Sequence, residues 1–228
     1  MHELDQIAVV GAGRLGTALS DALRTAGFTV AGPLRRGEPM PPATGTVLLC
    51  VPDRAIGEAA DAVPRGPLVG HCSGATTLEP LHDHHAFSMH PLMTIPANRP
   101  TTFTGVMAAV AGHPVGSELA RRLGMVPVVV SDADRAAYHA SACIASNFLV
   151  TLECAAERLA GTAGISREQL VPLVRATVDN WAALGVDALT GPIARGDEAT
   201  VARHRAALRE RTPDLLALYD VLAEVTAR

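Results

Sequence analysis

The chain has 228 residues, 48% of them apolar and 18% charged, with a formal net charge of −4. This is a globular composition, long enough for one large or two small cored domains, with no apolar run of membrane-spanning length. Without a block of Lys and Arg it carries no electrostatic footprint for nucleic acid or an anionic membrane, so a small molecule is the expected partner.

The first residues, MHELDQ, lack the basic region and apolar run of a secretory signal, and the expected location is the cytoplasm. Ile7 to Gly16, IAVVGAGRLG, is an apolar β-branched run that breaks at glycine and becomes helix-forming. Gly11, Gly13 and Gly16 stand in G-x-G-x-x-G spacing, interleaved with Ala12, Arg14 and Leu15. In a strand, turn, helix unit the first glycine permits the turn, the second lets a pyrophosphate approach the backbone, and the third allows helix and sheet to pack closely. Leu15, Ala18, Leu19, Ala22 and Leu23 follow at helical spacing, so the expected helix to Ala26 presents free N–H groups and its positive dipole end to a dinucleotide.

A second strand is expected over Phe28 to Ala31. The Asp or Glu that holds an NAD ribose is missing beyond it; Arg35 and Arg36 stand there instead, suited to a 2′-phosphate, which favours NADP over NAD. The alternative is two solvated loop arginines. The proline-rich loop 37–45 is too short for a crossover helix, giving an abbreviated Rossmann unit. Strands are expected at Thr46 to Val51, Leu68 to Cys72, Ala86 to Met89, Gly105 to Ala111 and Val126 to Val130, with helices at Ile56 to Val63 and Val115 to Leu123. Val51 and Pro52, Ser73 and Gly74, and the turn His90-Pro91-Leu92 then fall at the ligand-binding edge of a mostly parallel sheet, the first two pairs as cofactor contacts.

After residue 131 proline thins out and the apolar period moves to 3.6. The expected division is a Rossmann-like NADP-binding domain over 1–131 and an all-helical substrate and dimerisation domain over 132–228. Ala133 to Ala160 reads as one long helix, Ser166 to Leu184 as a second with Ser166 and Gln169 forming a capping box, Asp197 to Arg209 as a third, and Pro213 to Ala227 as the last.

On the long helix His139, Cys143, Asn147 and Val150 recur at i, i+4, i+8 and i+11, forming one polar stripe. Hydride transfer to a carbonyl or imine needs a proton donor, which His139 suits, and Asn147 is placed to orient the substrate or the nicotinamide amide. The bland alternative is a satisfied core histidine and a backbone-bonded asparagine. In the link TGPIARGD, Arg195 suits a substrate carboxylate, and Asp197 is either a site acid or the N-cap of the next helix. His82, His84 and His85 lack metal-ligand spacing and are expected to be solvated; Trp181 is expected to pack between helices. Cys50, Cys72, Cys143 and Cys154 lack C-x-x-C spacing and are expected to be reduced and mostly buried, and no metal site is expected.

With GAGRLG, VPD at 51–53, HCSGA at 71–75, SMHPL at 88–92, YHASACIASNF at 138–148 and ALTGPIARGD at 188–197, the whole chain resembles Rossmann-like NAD(P)-dependent oxidoreductases with a helical C-terminal domain of unknown function. These are similar to ketopantoate reductase, pyrroline-5-carboxylate reductase and the 6-phosphogluconate dehydrogenase superfamily. The resemblance implies a 6-phosphogluconate-dehydrogenase-like helical domain, NADPH-dependent reduction of a C=O or C=N bond, and a homodimer built through the helical halves. Where ketopantoate reductases carry a catalytic lysine followed by asparagines, the matching places here are His139, Cys143 and Asn147. The expected activity is reduction of a C=O bond in a small carboxylate-bearing substrate; the alternatives are an imine reductase and a non-catalytic NADP-binding sensor.

Overall fold

The computed structural model describes residue 4 and residues 6–97 and 100–227, so most of MHELDQ lies outside the described residues. The chain divides into two compact units, Met1–Ser146 and Asn147–Arg228.

The first unit is built on seven strands: β1 (Gln6–Val10), β2 (Thr29–Leu34), β3 (Thr46–Leu49), β4 (Leu68–His71), β5 (His85–Pro91), β6 (Met107–Gly112) and β7 (Val126–Val129). Their order is β2-β1-β3-β4-β5-β6-β7. The first five run parallel, β6 is antiparallel to β5, and β7 is parallel to β6. This is the expected mostly parallel sheet. Helices α1 (Arg14–Thr25), α2 (Ile56–Asp61) and α3 (Val115–Arg122) connect strands, whereas β2 reaches β3 through the expected helix-free loop.

The period-two rule sorts the buried strand residues onto the two faces. Ile7, Val9 and Leu48 join Leu19 and Leu23 of α1 and Leu119 of α3, while Ala8, Val47 and Leu49 join Ile56 and Ala60 of α2. The inner strands β1, β3 and β4, buried on both faces, need near-continuous apolar runs, and the sequence supplies them.

The expected long helix from 133 to 160 is present as an unbroken helical run from Arg135 to Gly161, but it is not α-helical throughout. It is α4 (Arg135–Cys143), a π-helical turn over Ile144–Phe148, and α5 (Leu149–Gly161). A π turn bonds i to i+5 and inserts a residue into the ladder, so side chains beyond it no longer follow the α period. The stripe His139, Cys143, Asn147, Val150 is thereby interrupted: His139 and Cys143 are half-buried, and Asn147 and Val150 are exposed. The compact units also divide inside this turn, past the 131/132 division that the change of pattern marks, because α4 is tied to the sheet by its first side chain.

The second unit consists of α5, α6 (Arg167–Leu184), α7 (Gly191–Ala194), α8 (Glu198–Arg211) and α9 (Leu216–Thr226). The capping box at Ser166 and Gln169 is present. Among the described residues of this unit only Leu208, Thr212 and Ala223 are buried. Trp181 does not pack between helices as expected but is 65% exposed, and Cys154 is exposed rather than buried. Both follow from the same cause, a set of helices that encloses little core of its own. Among the described residues no helix is long and apolar enough to cross a membrane.

In β4, Gly70 lies against the aromatic ring of Phe87, and a Cβ there would overlap the ring. Gly70→Ala should lower the unfolding free energy by about 1–3 kcal/mol through overpacking, and adding Phe87→Leu should recover part of the loss. Urea denaturation of the single and double variants measures both; equal midpoints for Gly70→Ala and the parent would refute the packing argument.

Candidate functional site

Because β1 to β5 are parallel, their carboxyl ends lie along one edge of the sheet. In spatial order that edge carries Arg35 and Arg36 after β2, Gly11 to Gly16 after β1, Val51 to Asp53 after β3, Cys72 to Ala75 after β4, and His90 near the end of β5. Four inter-strand steps make this row about 19 Å long. The chain order reverses between β1 and β3, the switch point at which open α/β sheets bind ligands.

The glycine turn has its expected form. Gly11 has φ +114°, and a Cβ on it would collide with the Cys50 carbonyl. A Cβ on Gly16 would collide with the Gly11 carbonyl, so α1 rests directly on the turn. A Cβ on Gly13 would meet nothing within 4 Å, so this glycine faces open space, as close approach of a ligand requires. Ala12 and Arg14 are exposed and Leu15 is half-buried; the Arg14 guanidinium donates to the Ile95 carbonyl (3.2 Å). Arg35, Arg36 and Val51 line a groove of about 1410 Å³ together with Gly11 and Ala12. Arg36 is paired with Glu58 of α2 at 2.5 Å.

The other end of the row holds a cluster that sequence patterns revealed only in part. Arg135, the first residue of α4, is fully buried. Its guanidinium donates to the Ser73 carbonyl (3.3 Å) and to the Ser88 hydroxyl (2.7 Å), and its Nε lies 3.5 Å from the Asp132 carboxylate. A buried cation requires such partners, and the contacts fix the start of α4 on the turn after β4 and the middle of β5. Ser73 in turn accepts the N–H groups of Ala75 (3.2 Å) and Thr76 (2.9 Å) on its hydroxyl, which closes the turn after β4.

One turn further along α4, Tyr138 and His139 reach this platform. The Tyr138 hydroxyl lies 2.6 Å from His90 Nδ1, and the His90 ring stands edge-on to both Tyr138 and His139. Burial, reinforced by His139 and Arg135, lowers the His90 pKa to about 4, while burial raises that of Tyr138. At neutral pH the phenol therefore donates and His90 Nδ1 accepts. His71 is likewise held neutral by burial: Nδ1 accepts the Ser73 N–H (3.2 Å) and Nε2 donates to the Thr77 carbonyl (3.0 Å). His139 differs, since among the described residues its Nδ1 has only a long contact to Cys143 Sγ (3.9 Å) and its Nε2 has no hydrogen bond. Ser73 and Gly74 are buried, and a Cβ on Gly74 would come within 2.8 Å of both His139 and His90. They support the imidazoles from beneath.

The remaining expected residues lie in the second unit. Asp197 is the N-cap of α8: its carboxylate accepts the Thr200 N–H (3.0 Å), and hydrogen bonding to Thr200 lowers its pKa. Arg195 is exposed and its side chain has no hydrogen bond or ion pair among the described residues; Asn147 is exposed in the π turn. His84 departs from the solvated reading, because it is half-buried and its Nε2 donates to the Ala60 carbonyl (3.2 Å), whereas His82 and His85 are exposed. Among the described residues no group of His, Cys, Asp and Glu could hold a metal ion. The sequence reading passed over Arg135, Tyr138, Ser88 and His71. The usable signal was a lone arginine opening an apolar helix, together with the polar segments HCS and SMH at the ends of two neighbouring strands.

The depressed His90 pKa makes stability depend on pH. The unfolded chain binds the His90 proton near pH 6.5 and the folded protein only near 4, so the unfolded state holds more protons in between. The stabilisation is complete above about pH 6.5 and is lost as pH falls toward 4, on the order of 3 kcal/mol in all. In His90→Gln the fall in unfolding free energy between pH 6.5 and 4 should be smaller, with a remainder from His71; urea titrations across that range test this, and an unchanged slope would refute it.

The family model for the domain of unknown function DUF2520 matches residues 102–226. No curated protein matches the chain in sequence. Among solved structures, a candidate NADP oxidoreductase of Bacteroides fragilis, BF3122, is 20% identical, with a TM-score of 0.82 over 99% of this chain and 98% of its own. Protein TM1727 of Thermotoga maritima is 23% identical, with a TM-score of 0.76 over 96% of each chain. A reductive aminase of Aspergillus terreus in complex with NADPH and ethyl levulinate is 14% identical, with a TM-score of 0.70 over 98% of this chain and 94% of its own. These likenesses are of fold, and the family match extends over more than half of the sequence: the chain belongs to the DUF2520 family.

Proposed function

We propose that this protein is an NADP(H)-dependent oxidoreductase that reduces a C=O bond of a small carboxylate-bearing substrate. The observation that carries the reading is the row along the sheet edge, with a dinucleotide-type glycine turn toward one end and a cluster of proton-handling side chains at the other. Two of the neighbours of like fold are named as an NADP oxidoreductase candidate and as a reductive aminase bound to NADPH. The open space over Gly13 and the N–H groups that open α1 suit a pyrophosphate. Arg35 and Arg36 are assigned to the 2′-phosphate, with Val51 and Pro52 bordering the same stretch and Ser73 and Gly74 beneath the imidazoles. When bound, the dinucleotide supplies the hydride.

His139 is assigned as the proton donor, because its Nε2 is uncommitted whereas the Tyr138 proton is directed at His90. His90 and Tyr138 hold the ring environment in place, and Cys143 lies on the far side of His139. Arg195, which has no hydrogen bond or ion pair among the described residues, is assigned to the substrate carboxylate, and Asn147 to substrate orientation. Asp197, occupied as a cap, is assigned no proton transfer. A C=N substrate is the second reading, favoured by the likeness to the reductive aminase.

Loss of NADPH absorbance with a panel of 2-oxo acids and cyclic imines tests the activity and separates the two readings. No turnover with any of them, alongside tight NADPH binding, would favour a non-catalytic sensor. On the substrate found, His139→Ala should reduce kcat by roughly 100- to 10,000-fold with little change in NADPH affinity. Arg195→Ala should raise KM, and a normal KM with a lowered Tm would mark Arg195 as structural.

A homodimer built through the helical unit is part of the proposal. Its support is the exposure of Leu173, Trp181, Leu184, Val186, Leu189 and Val221 in a unit with so few buried residues. Sedimentation should give twice the chain mass, and Trp181→Glu should shift it toward the monomer. The four free thiols support a reducing location, which we take to be the cytoplasm.

A further inference from the structure

The two arginines beyond β2 are not equivalent. Arg35 offers its main-chain N–H to the Glu38 carboxylate (2.8 Å), and its guanidinium has no partner among the described residues. The Arg36 guanidinium is held by the Glu58 carboxylate at 2.5 Å, a contact between the loop after β2 and helix α2. Both side chains of this pair are open to water, Arg36 at 81% and Glu58 at 68%, and both line the groove that begins at Gly11 and Ala12. Such an exposed pair is weak and contributes little to folding. It does occupy the charge that the cofactor reading requires.

We propose that Glu58 is a specificity-determining residue of the nucleotide groove, competing with a 2′-phosphate for Arg36 and so setting how strongly NADPH is preferred over NADH. The inference rests on the dinucleotide reading of the groove. A 2′-phosphate must take Arg36 from Glu58 and brings nearly two negative charges close to the carboxylate it displaces. A ribose 2′-hydroxyl is neutral, leaves the pair intact, and can itself donate to a carboxylate. Glu58 therefore weakens binding of the phosphorylated nucleotide alone, and Arg35 makes the contact for which no described side chain competes.

The test is binding of NADPH and NADH, followed by calorimetric titration on the full chain without substrate. Glu58→Gln keeps the shape and removes the charge. It should tighten NADPH by about two- to fivefold, the span of an exposed ion pair, and leave NADH unchanged or slightly weaker. The gain should shrink at high salt and should largely vanish in an Arg36→Ala background. Tight NADPH binding by the parent with an unmoved NADPH to NADH ratio in Glu58→Gln would overturn the inference and leave the cofactor reading standing. Weaker NADPH binding by Glu58→Gln would also overturn it, since Glu58 would then be orienting Arg36 for the phosphate. Failure of the parent to bind either nucleotide would overturn both.

Discussion

A guanidinium with no exposed surface has to find fixed acceptors, and for Arg135 they are the Ser73 carbonyl and the Ser88 hydroxyl, with Asp132 supplying the opposite charge. Ser73 lies in the turn after β4, Ser88 in the middle of β5 and Asp132 between β7 and α4. The same side chain therefore sets the turn after β4, the middle of β5 and the first turn of α4 relative to one another. Tyr138 and His139 take their places from that anchoring. The register that pairs His71 with Ser88 completes the platform, since it brings the HCSGA and SMHPL segments side by side.

The cost of burying Arg135 also shapes the electrostatics around it. A second positive charge nearby would be unpaired, and His90 and His71 both have their pKa lowered, chiefly by burial and further by this guanidinium. Neutral imidazoles can accept hydrogen bonds, and each does so on Nδ1, from the Tyr138 hydroxyl and the Ser73 N–H. The proton order in the cluster follows from geometry and burial together. His139, next to Tyr138 on α4, has no such hydrogen bond among the described residues, only the long contact to Cys143.

The helical unit is governed by a different balance. Its helices carry good local signals, the capping box at Ser166 and the N-cap at Asp197 among them, and surface ion pairs such as Arg158–Asp214 and Arg205–Asp220. Those contribute little individually. The apolar side chains that would normally supply the stability remain at the surface of this unit.

Local chemistry determined the parts of this protein that sequence alone could reveal. The glycine turn, the parallel strands, the missing crossover helix and the helix caps depend on residues within a few positions of one another, and periodicity exposes them. The place of Arg35 and Arg36 at the strand end followed from the same logic. Only the tertiary structure decided what depends on residues distant in the chain: the burial of Arg135 against Ser73 and Ser88, the bond from Tyr138 to His90, and the hold of Glu58 on Arg36. The π turn at Ile144–Phe148 is the instructive case, because a polar stripe counted at α-helical spacing looks continuous from His139 to Val150. A single inserted residue changes the phase of the helix without leaving any mark in the hydrophobic pattern.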